Sequence, residues 1–373
     1  MAIRRVALMT GGGDCPGLNA VIRAFVRVGK RKFGWEVFGV EDAFSGLIDL
    51  DYKSPRGNRW LELDDVRGII EMGGTILGTS NRCDPFQYAA RGETETRDIS
   101  DQVMANYRKL QLDALVSIGG DGSMAIAQKF IEKGMKIVGV PKTIDNDLGG
   151  TDQTFGFDTA LNIATEAIDR IRDTAESHDR VMLVEVMGRD AGWIALHAGL
   201  AGGADAILLP EIPYQVEPIA EMIRRRRARG ANYSILVVAE GAKPQGGESS
   251  AVKGEIGGMP RLMGAAHRVA AALEPLVEAD MRVTVLGHIQ RGGAPTAFDR
   301  ILGTRFGETA AELVAAERFG TMAALREGRV EGVPLVDAIA RPKKVDPHCQ
   351  LVCTARALGV RFGDGSTDHS LRP

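Results

Sequence analysis

The sequence predicts an α/β protein of two three-layer domains, with mainly parallel sheets and helices on both faces. Three observations predict it. Runs such as 113–118 and 135–140 are apolar along nearly their whole length instead of alternating, the pattern of strands buried on both faces. Segments with apolar residues at helical spacing lie between many of these runs. The 46 glycines among 373 residues cluster just after the apolar runs, which suits ligand loops at the carboxyl ends of parallel strands.

Taken in order, 5–10 reads as a first strand, closed by a glycine turn and a helix over 18–32. A strand over 35–40 follows. Runs 113–118 and 135–140 are the next strands, and 160–174 has the spacing of a helix. Beyond it, 181–186, 206–209, 233–238 and 282–286 read as strands, with a helix over 217–227. Residues 242–260, rich in Gly, Ser and charge, predict an exposed excursion, and 364–373 a frayed tail. No internal repeat occurs. The length suits about two domains.

Composition excludes several classes. A formal charge of −3 argues against a nucleic-acid partner bound through its backbone. No apolar span approaches membrane length, and Met1-Ala2-Ile3-Arg4-Arg5 lacks the apolar core of a signal peptide. Four cysteines, Cys15, Cys83, Cys349 and Cys353, are too few for a disulfide framework, so a reducing, cytoplasmic setting is expected. His348, Cys349 and Cys353 have no second ligand pair nearby to complete a metal site. The basic run 224–227 reads as a solvated helix face.

Two short runs carry the chemistry. Gly119-Gly120-Asp121-Gly122-Ser123 follows the strand at 113–118: glycines admit phosphates close to the backbone, and Asp121 offers oxygen to Mg²⁺. Pro141-Lys142-Thr143-Ile144-Asp145-Asn146-Asp147 follows the strand at 135–140. In extended geometry its two carboxylates point the same way; one can accept a proton from an attacking hydroxyl, and the other can help order a metal shell. The turn from Thr10 through Gly11, Gly12 and Gly13 to Gly17 is equally a tight turn or a phosphate loop, and matches neither the Walker nor the dinucleotide pattern. Anion-binding pieces recur at strand ends: Met187-Gly188-Arg189 with Arg180, and Arg282 with His288-Ile289-Gln290-Arg291. Glu240, ending the strand at 233–238, could accept from sugar hydroxyls.

These residues, in this order, resemble the 6-phosphofructokinase family, from the Gly11 turn through Arg291-Gly292-Gly293 to Arg300. The resemblance implies the phosphofructokinase fold, two Rossmann-like domains crossed more than once by the chain. A donor domain would span 1–156 plus 290–345, and a fructose 6-phosphate domain 157–289 plus 346–373. It implies phosphoryl transfer to O1 of fructose 6-phosphate with Mg²⁺, in a homodimer or homotetramer with sites at subunit contacts. Asp145 would be the general base, with Thr143 and Ile144 beside the sugar and Asp147 near the metal shell. Asp121 would bind the metal, and Arg82 would stabilise the transferring phosphoryl. Gly12, Gly13, Gly120, Gly122, Ser123 and Cys83 would border the donor. Met187, Gly188, Arg189, Glu240, His288, Ile289, Gln290 and Arg291 would hold the sugar phosphate, joined by Arg180 and Arg282 of a neighbouring subunit.

Two positions set the expected donor. Members using ATP have Gly at 122, where an Asp would fill the α-phosphate position; members using pyrophosphate carry Lys at 142. This chain has Gly122 with Lys142, resembling the mixed-substrate branch, and steric exclusion favours ATP, with pyrophosphate as the alternative. Arg23, Arg27, Arg172 and Asp205 match parts of the family's effector pocket, whereas Ala231 replaces a common Lys. Competing readings are a lipid or NAD kinase, which shares Gly-Gly-Asp-Gly but not 143–147 or 288–291, and a nucleotide sensor without turnover, which would lack the carboxylates kept here.

Overall fold

The computed structural model describes residues 3–52, 59–90, 95–256, 259–262 and 264–366. The first stretch runs β1 (Arg5–Thr10), α1 (Leu18–Lys32), β2 (Glu36–Val40), α2 (Ser45–Ile48), β3 (Arg59–Leu61) and α3 (Ser100–Lys109). It continues with β4 (Ala114–Gly119), α4 (Asp121–Glu132) and β5 (Ile137–Pro141). Then come α5 (Phe157–Ser177), β6 (Val181–Val186), α6 (Trp193–Ala201), β7 (Ala206–Leu208), α7 (Val216–Ala228) and β8 (Ser234–Ala239). A hairpin of β9 (Ala251–Ile256) and β10 (Met259–Leu262) precedes α8 (Ala265–Leu273), β11 (Met281–Val285) and a 3₁₀ turn (Gly287–Arg291). The chain closes with α9 (Ala297–Ala315), β12 (Thr321–Arg326), β13 (Arg329–Pro334), α10 (Leu335–Ala340) and α11 (Gln350–Ala357).

These elements form two compact units. One comprises Met1–Ile144, Leu148–Asp158 and Arg291–Pro342; the other Asp145–Asp147, Thr159–Gln290 and Lys343–Pro373. The first holds a seven-stranded sheet ordered β13-β12-β5-β4-β1-β2-β3. Its interior pairs are parallel, and every residue of β4 and β5 is buried, as a sheet covered on both faces requires. Its edges are antiparallel: β3 pairs with β2, and β13 with β12. β13 follows β12 directly, without the long crossover that a parallel neighbour needs. The core centres on Phe44, Phe130, Leu47, Met9 and Met322, with the Phe44 and Phe130 rings 4.8 Å apart.

The second unit holds a wholly parallel four-stranded sheet ordered β11-β6-β8-β7. Buried Glu185 on β6 is the exception in an apolar strand. Its carboxylate accepts from Gly264 N (3.1 Å) and Ala266 N (2.9 Å), taking two orphan N–H groups at the start of α8.

The two irregular stretches hold more structure than expected. The excursion at 242–260 contains an unexpected antiparallel pair, β9 and β10, which belongs to neither main sheet. Of the expected frayed tail, Asp364–Ser366 is anchored: Arg356 Nη2 donates to Asp364 at 2.6 Å, and Arg361 to the Ser366 carbonyl at 3.1 Å. Residues 367–373 lie outside the described residues.

Candidate active site

In the first unit the strand order reverses between β1 and β4, the switch point where open α/β sheets bind ligands. The turns leaving β1, β4 and β5 are stitched together there. Gly11 N donates to the Ile118 carbonyl (2.9 Å), and Lys142 N to the Gly119 carbonyl (2.9 Å). A third segment joins through Gly12, whose N–H donates to Ser80 O (3.1 Å) and whose carbonyl accepts from Thr79 Oγ1 (2.6 Å). That stitching brings the Arg82 loop to the glycine turn, with the Arg82 side chain exposed. Gly12 has φ 78°, a left-handed conformation that favours glycine.

The cations at this turn are specific. Buried Lys142 donates its ammonium to the Gly13 carbonyl, and a Cβ at Gly12 would sit 3.3 Å from Nζ. Arg291 Nη1 donates to the Asp14 carbonyl at 3.1 Å, 2.8 Å from where a Gly13 Cβ would lie. These two contacts, between residues 129 and 277 positions apart, carry no local sequence signal.

Asp121 opens α4 as an exposed carboxylate whose Oδ1 accepts from Gly122 N at 2.7 Å. Gly120 at the helix start has no side-chain cap, so the partial positive charge of the helix end faces the same turn. Ser123 reaches back, its Oγ 2.7 Å from a Cβ placed on Gly11, whereas a Cβ on Gly122 would meet nothing within 4 Å. Among the described residues no cluster of three or more His, Cys, Asp or Glu could hold a metal. One hard, exposed carboxylate at the start of a helix fits Mg²⁺, which is held by one or two carboxylates plus substrate phosphates and water. Cys83 packs against the unit's core, where burial pushes its thiol up.

Thr143, Ile144 and Asp145 leave β5 buried, and the Thr143 carbonyl accepts from Thr154 Oγ1 at 2.7 Å. The expected extended geometry of 145–147 is corrected: Asn146 has φ 53°, so the rule that alternate residues share a face does not hold across the two carboxylates. Lys343 fixes this bend, with Nζ donating to Asn146 Oδ1 (3.1 Å) and N donating to the Asp147 carbonyl (2.7 Å).

In the second unit β6 lies between β8 and β11, and their three exit loops hold most of the expected sugar-phosphate residues. Met187 N donates to Gln290 Oε1 (2.9 Å), while Gly188 N and Arg189 N donate to Glu240 Oε1 (3.3 and 3.0 Å). His288 and Ile289 are exposed, and Gln290 is fully buried. Arg180 and Arg282 sit at the opposite, amino ends of β6 and β11. Both pair with Asp280, Arg180 at 2.8 Å, and the Arg180 hydrogen bond leads in holding that carboxyl below its ordinary value. Asp205 pairs with Arg226 at 2.8 Å, and Arg172 donates to the Gly202 carbonyl.

Residues 5–314 match the family model described as Phosphofructokinase, and the chain belongs to that family. It is 49% identical over 368 residues to ATP-dependent 6-phosphofructokinase 2 of Clostridium perfringens, covering 97% of this chain and 99% of that one. It is 50% identical over 346 residues to the pyrophosphate–fructose 6-phosphate 1-phosphotransferase of Amycolatopsis methanolica, covering 92% and 97%. Among solved structures, phosphofructokinase from Saccharomyces cerevisiae matches with TM-score 0.75 and 34% identity over 90% of this chain, which spans 45% of the yeast chain.

Proposed function

We propose that this protein transfers the terminal phosphoryl group of ATP to O1 of fructose 6-phosphate, giving fructose 1,6-bisphosphate, ADP and a proton. The observation that carries the donor is the open space at Gly122, beside the Asp121 carboxylate and the uncapped start of α4. A nucleoside triphosphate needs that space; a side chain there would fill it. The relatives named for ATP at 49% and 48% identity over nearly full length support the same reading.

In this reading the first unit binds the donor and the second carries most of the sugar-phosphate residues, although Thr143, Ile144 and Arg291 belong to the first. Gly12, Gly13, Gly120 and Ser123 face the donor phosphates, with Cys83 at the nucleotide border. Asp121 would hold Mg²⁺, which when bound neutralises charge on the phosphates. Arg82 offers its guanidinium to the charge that builds on the transferring group. Asp145 takes the proton from the sugar O1 hydroxyl as that oxygen attacks, with Thr143, Ile144 and Asp147 holding its surroundings. Arg189, His288 and Arg291 grip the sugar phosphate, and Glu240 a sugar hydroxyl. Arg180 and Arg282 act on the neighbouring subunit's site in a homodimer or homotetramer. Among the described residues no helix is long and apolar enough to cross a membrane, and a cytoplasmic location fits this chemistry.

Pyrophosphate is the second reading, favoured by the Lys142 ammonium beside Gly12 and Gly13. The test is ³¹P NMR of purified protein with MgCl₂ and fructose 6-phosphate, with ATP, pyrophosphate, or ATP plus NAD added in separate samples. A C1 phosphate of fructose 1,6-bisphosphate is expected. Phosphorylation of NAD with fructose 6-phosphate untouched, or no transfer from either donor, overturns the proposal.

A further inference from the structure

We infer that Gln290 is a positioning residue for sugar-phosphate binding: it latches the Met187-Gly188-Arg189 loop from the β11 side and does not itself touch the ligand. The inference rests on the fructose 6-phosphate reading above. Gln290 is fully buried, so its carboxamide cannot reach a ligand in the site without leaving its place. Among the described residues its side chain makes one hydrogen bond, Oε1 accepting from Met187 N at 2.9 Å.

That bond belongs to a larger grip. The next two N–H groups, of Gly188 and Arg189, are taken by Glu240 from the β8 exit. Three successive backbone donors of the β6 loop are thus held by the neighbours on either side of β6 in the sheet. The loop needs holding: Gly188 has φ 143° and Arg189 φ 47°, and a non-glycine residue keeps the left-handed region only where its surroundings impose it. The fit is close, since a Cβ on Gly241 would fall 1.9 Å from the Arg189 carbonyl. Removing the Gln290 acceptor leaves a buried N–H unpaired and frees one end of the loop that carries Arg189.

Hydrogen exchange of the substrate-free protein and steady-state kinetics test this together. In Gln290→Met, exchange at 187–189 should accelerate about tenfold. KM for fructose 6-phosphate should rise about tenfold while KM for ATP stays put. Gln290→Glu keeps an acceptor oxygen and should retain protection, with KM for fructose 6-phosphate within about threefold of wild type. Unchanged exchange in Gln290→Met overturns the latch. If Gln290→Met does not fold, Gln290→Glu decides alone. A direct phosphate ligand made anionic should lose affinity far more than threefold, which contradicts the inference. Exchange is read without substrate, so a wild-type protein that ignores fructose 6-phosphate overturns the function while the latch is still measured.

Discussion

Asp145 leaves β5 buried, on a run whose next residue, Asn146, turns left-handed under the hold of Lys343. As the base proposed above, Asp145 would be placed by the backbone, and its removal should cost rate more than affinity. Asp145→Ser is expected to lower kcat about 10²- to 10⁴-fold while the dissociation constant for fructose 6-phosphate changes less than about threefold. Equal loss in both would assign Asp145 to binding. Gly122 makes a second prediction, because the space beside it is open. Gly122→Asp should fold normally and raise KM for ATP about tenfold, some 1.4 kcal/mol, through exclusion and repulsion of the α-phosphate. At this scale the sequence was legible where chemistry is local: Asp121 and Gly122 sit on one short turn. It was not legible where chemistry is remote. Nothing near Lys142 announces the Gly13 carbonyl, and nothing near Arg291 announces Asp14.

Buried strands were the easiest elements to read, because an apolar run without alternation has few other uses. Arg5–Thr10 and Val181–Val186 have the bounds that pattern suggests. The edge strands β3 and β13 and the β9–β10 hairpin were missed, since edges carry polar residues and resemble loops by composition; β12, interior and mostly buried, was missed as well. Glu185 shows why a charge inside such a run is not an error. Glu185→Ala leaves Gly264 N and Ala266 N unpaired at the start of α8, and should lower stability by about 2–3 kcal/mol in urea unfolding. A pH prediction belongs to α6. Burial pushes the His197 imidazole below its ordinary 6.5, while its Nδ1 stays bonded to the Trp193 carbonyl at 2.8 Å. The unfolded chain therefore binds a proton before the folded one does. Stability should be intact above about pH 6.5 and fall as the pH drops toward the folded value. His197→Gln should flatten that slope in unfolding midpoints measured across this range.

The whole molecule gathers donor-turn residues in one unit and most of the expected sugar-phosphate residues in the other, a division that spacing alone did not disclose. Long-range pairing of β12 with β5, across some 180 positions, is set by sheet topology and leaves no local mark. Arg180 and Arg282 belong to the assembly scale: within the subunit they meet at Asp280, at the amino ends of their strands. If they serve a neighbouring site, mixed assemblies of Asp145→Ser and Arg282→Ala subunits should recover part of the activity that each lacks alone, because some sites then hold an intact base and an intact arginine. No recovery would return Arg282 to its own subunit's chemistry or to structure. The central claim is phosphoryl transfer from ATP through the open Gly122 turn. Initial rates with fructose 6-phosphate and Mg²⁺, ATP against pyrophosphate at equal concentration, test it most directly. A higher kcat/KM with ATP is the expected result, and turnover with pyrophosphate alone would contradict it.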